Sequence, residues 1–275
     1  HLSPDYKSLM AELLAKHTEM AVKRAEDGML VEPDTVYIIP PRKNLRLFHG
    51  KLLLSEQERN ERGINLPIDV FFRSLAEDQG EKAVGIILSG TGSAGARGIR
   101  AIKETGGMVM AQSADTARFD GMPRAAVATG LTDFSLPVKE MPDKLLAFAA
   151  HPYVLQPATA TPLLLDEDRL ARIFAMLREQ TRVDFTLYKQ STIVRRIERR
   201  MTVNQIRELA DYVAFMETRP REIRALYREL LIGVTSFYRD PEVWDALADQ
   251  MLGKVFQDRD GKDVRMWVAG CSTGE

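Results

Sequence analysis

Residues 83–98 read Ala-Val-Gly-Ile-Ile-Leu-Ser-Gly-Thr-Gly-Ser-Ala-Gly-Ala-Arg-Gly, and no other stretch limits the possible fold as much. Val84, Ile86, Ile87 and Leu88 leave no polar face over 83–88. A short apolar run of this kind predicts a central strand of a parallel sheet, buried on both sides. Three glycines follow within 89–95, and a helix is expected from Ala96 to Lys103. Strand, glycine loop and helix make half of a βαβ unit, with the loop at the carboxyl end of the strand, where open α/β sheets place their sites.

The flanking segments fit layers around that strand. Leu9, Met10, Leu13 and Leu14 form one apolar face after a helix start at Ser3-Pro4. Short strands are expected at 21–25 and 36–39, the second closed by Pro40-Pro41. His49-Gly50 separates residues 44–48 and 51–55 as a hairpin turn. A helix over 67–79, a strand at 108–112 after a glycine stop at Gly106-Gly107, and a short helix after Phe119-Asp-Gly-Met-Pro123 come next. An extended piece at 134–137 and a helix over 141–150 complete an α/β region with a mostly parallel sheet. Residues 156–162 are small, uncharged and proline-bearing, which marks a linker. Beyond it the periodicity is helical over 166–180, 189–202, 208–217, 221–231 and 241–256. A strand at 264–269 and a glycine turn end the sequence, with Trp267 expected in the core beside that strand.

Composition narrows the function classes. Net charge is -1, so nothing global points to nucleic acid or an anionic membrane. No apolar run approaches the ~20 residues of a membrane helix, so no membrane insertion is expected. One cysteine, Cys271, excludes an internal disulfide and fits a reducing, cytoplasmic setting. The opening His-Leu-Ser-Pro-Asp and the ending Ser-Thr-Gly-Glu275 read as a piece of a longer protein.

The glycine loop has two readings. Backbone N–H groups in such a turn approach an anion, an oxyanion or a cofactor, or the turn only connects strand to helix. Ser3, Ser89 and Ser93 offer hydroxyls, but none lies in a Gly-x-Ser-x-Gly elbow. The four histidines, His1, His17, His49 and His151, have no metal-ligand spacing, so no metal is expected. Arg195, Arg196, Arg199 and Arg200 form a basic stripe on one helix. By itself such a stripe reads as a solvated face.

Taken in order, His1-Leu-Ser-Pro-Asp-Tyr, Ala25-Glu-Asp-Gly, Tyr37-Ile-Ile-Pro-Pro, Leu88-Ser-Gly-Thr-Gly-Ser and Phe119-Asp-Gly-Met-Pro-Arg resemble the catalytic domain of CheB-type chemotaxis protein-glutamate methylesterases. The resemblance implies a serine nucleophile, expected upstream of residue 1, with His1 as its base and no cofactor. It also implies an aspartate in the glycine loop that orients the histidine, and that position is Ala94. Loss of the orienting acid costs on the order of 10⁴ in turnover in a Ser-His-Asp triad. A catalytically silent scaffold or regulatory module in two-component signalling is therefore the alternative.

Residues from 166 onward resemble the N-terminal part of CheR-type protein-glutamate O-methyltransferases. Residues 189–200, Leu-Leu-Ile-Gly-Val-Thr-Ser-Phe-Tyr-Arg-Asp240 and Trp267-Val-Ala-Gly-Cys-Ser-Thr-Gly-Glu275 carry this resemblance. It implies S-adenosylmethionine (SAM) as cofactor, held by Thr235, Arg239, Gly270, Gly274 and Glu275. Gly233 stands where the family often has asparagine. The arginine stripe would then dock the acidic, glutamate-bearing helices of methyl-accepting chemotaxis receptors.

The expected organisation is a methylesterase-like α/β domain with a doubly wound, mostly parallel sheet over 1–152, and a linker over 153–165. An all-α subdomain over 166–257 then leads into the first strand of a SAM-methyltransferase sheet at 258–275. The expected whole is a junction of a CheB–CheR fusion, removing methyl groups from receptor glutamates with one half and adding them with the other.

Overall fold

The structure is a computed structural model and describes residues 9–57, 66–151, 166–232, 241–252 and 267. The chain divides into two compact units, His1–Leu231 and Ile232–Glu275.

The first unit opens with α1 (Met10–Ala15), then β1 (Ala21–Arg24), β2 (Met29–Leu30), β3 (Thr35–Ile38), β4 (Lys43–Phe48) and β5 (Lys51–Glu56). The expected apolar face of α1 is not covered: Leu9, Leu13 and Leu14 are all exposed. β1 and β3 pair in parallel, while β2, β5 and β4 form an antiparallel sheet in that order. The β4–β5 hairpin turns at His49 (φ 47°) and Gly50 (φ 72°), directly after the Phe48–Lys51 pair. Positive φ at both central residues gives the turn the twist of the flanking strands. His49 is therefore a turn residue.

α2 (Pro67–Gln79) is the layer that joins two cores. Phe71 and Leu75 pack against Leu45, Leu47 and Leu52 of the hairpin, and the same two residues border the cluster around Phe72, Ile87, Ile99 and Ile102. The buried Ser74 hydroxyl accepts the Leu47 N–H at 3.0 Å, which fixes the hairpin on the helix.

β6 (Val84–Ile87), α3 (Gly98–Glu104), β7 (Met108–Gln112), α4 (Gly121–Ala128), β8 (Phe134–Leu136) and α5 (Met141–Ala149) follow. The sheet order is β6-β7-β8, all parallel. Among the described residues β7 is the middle strand of the three and its five residues are all buried, while β6, expected at the centre of the sheet, pairs there on one side. Leu88 lies past the last ladder residue and is 46% exposed, because it sits on the lip of the sheet and not within it. Alternation assigns the two faces. Val84, Ile86, Met108, Met110, Phe134 and Leu136 pack with Met141 and Phe148 of α5. Ile87, Val109 and Ala111 pack with residues of α2, α3 and α4. Helices on both faces of a parallel sheet make the doubly wound α/β arrangement.

The helical part of the same unit contains α6 (Glu167–Thr181), α7 (Gln190–Val203), α8 (Leu209–Thr218) and α9 (Pro220–Leu230). Asp166 caps α6 by accepting the Arg169 N–H at 3.2 Å. Leu170, Ile173, Leu177, Phe185, Ile193, Ile197, Tyr212, Met216 and Leu226 form its core.

In the second unit the described residues are α10 (Pro241–Leu247), the π-type turn Ala248–Leu252, Ile232 and Trp267. Trp267 is 93% exposed, which corrects its expected place in a core. The rest of the expected strand at 264–269 lies outside the described residues.

Candidate active site

The glycine loop stands where the sequence places it, between β6 and α3. Two loops are stitched together there. Gly90 donates its N–H to the Phe119 carbonyl at 2.9 Å, and Met122 donates back to the Gly90 carbonyl at 2.9 Å. The Ser89 hydroxyl accepts the Phe119 N–H at 3.0 Å, and the Gln112 side chain at the end of β7 accepts the Ser89 N–H at 2.9 Å. Ser89 is thus committed to holding the 119–122 turn. A Cβ at Gly90 would lie 2.3 Å from Met122 Sδ, so the Met122 side chain packs directly against the bare backbone of Gly90. Leu88 and Phe119 expose apolar surface beside the loop.

The N-terminal end of α3 is already occupied by a carboxylate. Asp69 of α2, 1% exposed, accepts N–H groups from Gly95 (3.0 Å), Arg97 (3.0 Å) and Gly98 (2.6 Å). Those amides are the ones a helix N-terminus would offer an anion. For them the internal connection is the correct reading, not an anion cradle. Ala94 is half-buried directly before this clamp, so the position where the resemblance puts the orienting acid is held by fixed backbone on its C-terminal side. Its methyl group neither accepts a hydrogen bond nor carries charge.

His1, Thr235, Arg239, Gly270, Gly274 and Glu275 lie outside the described residues. The four arginines are described, and the structure does not leave them as a solvated face. Arg196, Arg199 and Arg200 are 6%, 0% and 7% exposed. Ile193, Val194, Ile197 and Met201 turn one side of α7 into the helical core, while the arginines face the α/β part, so both sides of the helix are covered. A receptor helix cannot reach three guanidinium groups that are already enclosed.

Their partners form a cluster of three cations and three carboxylates. Lys103 Nζ stands 2.7 Å from Asp133 Oδ1 and 3.1 Å from Glu229 Oε1. Arg199 reaches Asp133 Oδ2 at 2.8 Å and also pairs with Glu229. Arg200 holds Glu222 through Nε at 2.8 Å and Nη2 at 2.7 Å, and Tyr212 donates to the same carboxylate at 2.9 Å. Burial pushes Asp133 upward, but Arg199, Lys103 and Arg200 outweigh it and hold the carboxyl well below the usual range. The same contest sets Glu229 at about 2. Burial, and then the charge of Arg199, draws Lys103 down against the pull of both carboxylates.

Asp69, Lys103, Asp133, Glu222 and Glu229 were not singled out by sequence reasoning. For Asp69 a signal existed. It shares a helical stripe with Phe72 and Ala76, three and seven positions on, so a carboxylate sits on a face that must be buried. For Asp133, isolated in a connection before β8, no such signal exists.

Comparison with known proteins gives the chain its relatives. The CheB methylesterase family matches residues 1–145, and the all-alpha domain of the CheR methyltransferase family matches residues 168–231. An uncharacterized 104.1 kDa protein of Rhodobacter capsulatus is 40% identical over 288 residues, covering 97% of this chain and 30% of that protein. A protein-glutamate methylesterase/protein-glutamine glutaminase of Photorhabdus laumondii is 33% identical over 151 residues, covering 54% of this chain and 43% of the relative. The crystal structure of the Thermotoga maritima CheB methylesterase catalytic domain is 31% identical, with a TM-score of 0.48, covering 53% of this chain and 79% of that chain. The chain spans less than half the length of these two curated relatives. With one family filling the α/β part and the other the helices after it, the chain belongs to the CheB methylesterase family and continues into CheR-type all-alpha sequence.

Proposed function

We propose that this chain is part of a bifunctional sensory-adaptation protein that hydrolyses and forms methyl esters on receptor glutamates. The supporting observation is the tandem order: CheB sequence over 1–145 followed by CheR all-alpha sequence over 168–231. In the esterase half, a serine hydroxyl attacks the ester carbonyl while His1 takes its proton and passes it to the departing methanol. Water, activated by the same imidazole, then hydrolyses the acyl-serine to the free glutamate. The loop between β6 and α3 borders that chemistry. With Ala94 at the acid position, the imidazole lacks the carboxylate that would set its tautomer and stabilise its charged form. The esterase half uses no cofactor in this reading, and these 275 residues by themselves turn over neither reaction.

In the methyltransferase half, Thr235, Arg239, Gly270, Gly274 and Glu275 hold SAM, which supplies the methyl group. The protein contributes mainly the positioning of carboxylate and donor. The setting is cytoplasmic, facing the inner parts of sensory receptors. Among the described residues, no helix is long and apolar enough to cross a membrane. The receptor contact suggested for Arg195, Arg196, Arg199 and Arg200 is not carried into this proposal, because three of the four side chains are enclosed.

The test is methanol release from methylated receptor by the full-length protein, with Ala94 and with Ala94→Asp. A gain of up to about 10⁴-fold with aspartate is expected, the size of the loss when a triad acid is removed. Absence of release in both forms would overturn the esterase reading and favour a silent scaffold.

A further inference from the structure

We propose that the arginine face of α7 is an intramolecular docking surface, and that its partner is this chain's own α/β part. It stands independently of the esterase chemistry, resting on side-chain geometry alone.

The surface fits its occupant in charge and in shape. Helix C-termini present unpaired carbonyls and partial negative charge, and α3 ends at Glu104 facing α7. Arg196 donates to the Lys103 carbonyl at 3.0 Å and the Glu104 carbonyl at 3.2 Å. Arg199 donates through Nε to Gly106 at 3.0 Å and through Nη2 to Gly107 at 2.6 Å. At the rim, Arg195 pairs with Glu81 at 2.5 Å. At the other end of the contact, the Thr202 hydroxyl and His151 Nδ1 lie 2.9 Å apart. The planar guanidinium suits this role, because one side chain can satisfy several carbonyls and a carboxylate at once.

The cluster at the centre is shared between the two parts. Lys103 and Asp133 come from the α/β part; Arg199, Arg200, Glu222 and Glu229 come from the helices. Separated, the α/β part keeps one cation and one carboxylate, and the helices keep two of each. Asp133 would then face Lys103 alone, and Arg199 would lose Asp133 together with its carbonyls. Breaking a buried pair leaves charges without full compensation, which is costly. An acidic helix from outside would have to displace Asp133 and the end of α3 to bind here, so the surface is satisfied from within.

The test uses the full chain with a specific protease site placed in residues 156–162, cut after folding, and followed by size-exclusion chromatography. The cut parts are expected to elute together, including at high salt, since enclosed pairs are weakly screened. Asp133→Asn is expected to weaken the association by about a hundredfold or more, the scale for removing one member of a buried charge pair. Arg172→Ala, which breaks an exposed pair with Glu217 within the helices, is the control and should leave elution unchanged. Cut parts that separate without any substitution overturn the proposal. So does undiminished association in both Asp133→Asn and Arg196→Met, which would mean that the charges do not hold the contact.

Discussion

Arg199 Nη2 and Asp133 Oδ2 stand 2.8 Å apart with neither side chain exposed, and they join the helical part to the strand connection that precedes β8. Asp133 also accepts the Val109 N–H at 2.9 Å, so the carboxylate ties the central strand, α3 and α7 to one point. Asp133→Asn should destabilise the first unit by about 3–5 kcal/mol, the cost of breaking a buried pair from one side. Lys103→Met should cost less, because burial already disfavours the charged amine and Asp133 keeps Arg199 and Arg200. Urea unfolding of both variants checks the order. A loss below about 1 kcal/mol for Asp133→Asn, the range of exposed pairs, would show that the cluster is not enclosed in solution.

Asp69 makes a second, separate claim on stability. Its two oxygens take three backbone N–H groups, and Asn offers only one oxygen and turns a donor toward the remaining amides. Asp69→Asn should therefore cost about 1–3 kcal/mol, the penalty for leaving a buried donor unmet. Faster hydrogen exchange at Gly95 and Gly98, with β4 and β5 unchanged, would localise the effect to the start of α3. Unchanged exchange there would contradict the role given to Asp69.

Gly98 tests how closely α2 and α3 approach. A Cβ there would lie 2.8 Å from Asp69 Cα and 2.8 Å from Phe72 Cβ, and the first of these belongs to a helix backbone that cannot swing aside. Gly98→Ala should cost about 1–3 kcal/mol as an overpacked contact, despite alanine's better helix propensity. A melting temperature equal to or above that of the unchanged chain would show that the two helices can part without loss.

Local chemistry made much of this fold legible. Pro67 at the first helical position and Gly80 after Gln79 bracket α2 at the residues the sequence marks, and His49-Gly50 sets the hairpin register. What sequence could not order was the sheet, since an apolar run at 83–88 and another at 108–112 look alike until β8 is known to pair with β7. The arginine stripe failed for a related reason. Amphipathic periodicity separates an apolar face from a polar one, but it does not tell solvent from a charged partner such as Asp133, 66 residues before Arg199 in sequence. The glycine loop was placed correctly, but nothing in the sequence shows that its last amide, at Gly95, and those of Arg97 and Gly98 after it are taken by a carboxylate from α2.

The cluster also sets how the first unit responds to acid. Asp133 and Glu229 are both held below the ordinary carboxylate range, Glu229 at about 2, since their cationic neighbours outweigh the upward push of burial. A carboxyl with a lowered folded value contributes stability above its unfolded pKa of about 4, and that stability is lost as pH falls through the folded value. Stability should thus change little through this cluster from neutral pH down to about 4. Below that it should fall steeply, as protonation leaves Lys103, Arg199 and Arg200 facing one another. His151 adds a smaller step at higher pH. Burial lowers its folded value from 6.5, helped by Arg207 and opposed by its contact with the Ile206 carbonyl. Its neutral ring therefore supports the fold above 6.5 and withdraws that support as pH drops below it. His151→Gln should erase the first step and keep the second. Asp133→Asn should flatten the second while the first remains. Urea midpoints measured along a pH series separate the two, and a steep acid loss that survives Asp133→Asn would move its origin away from this cluster.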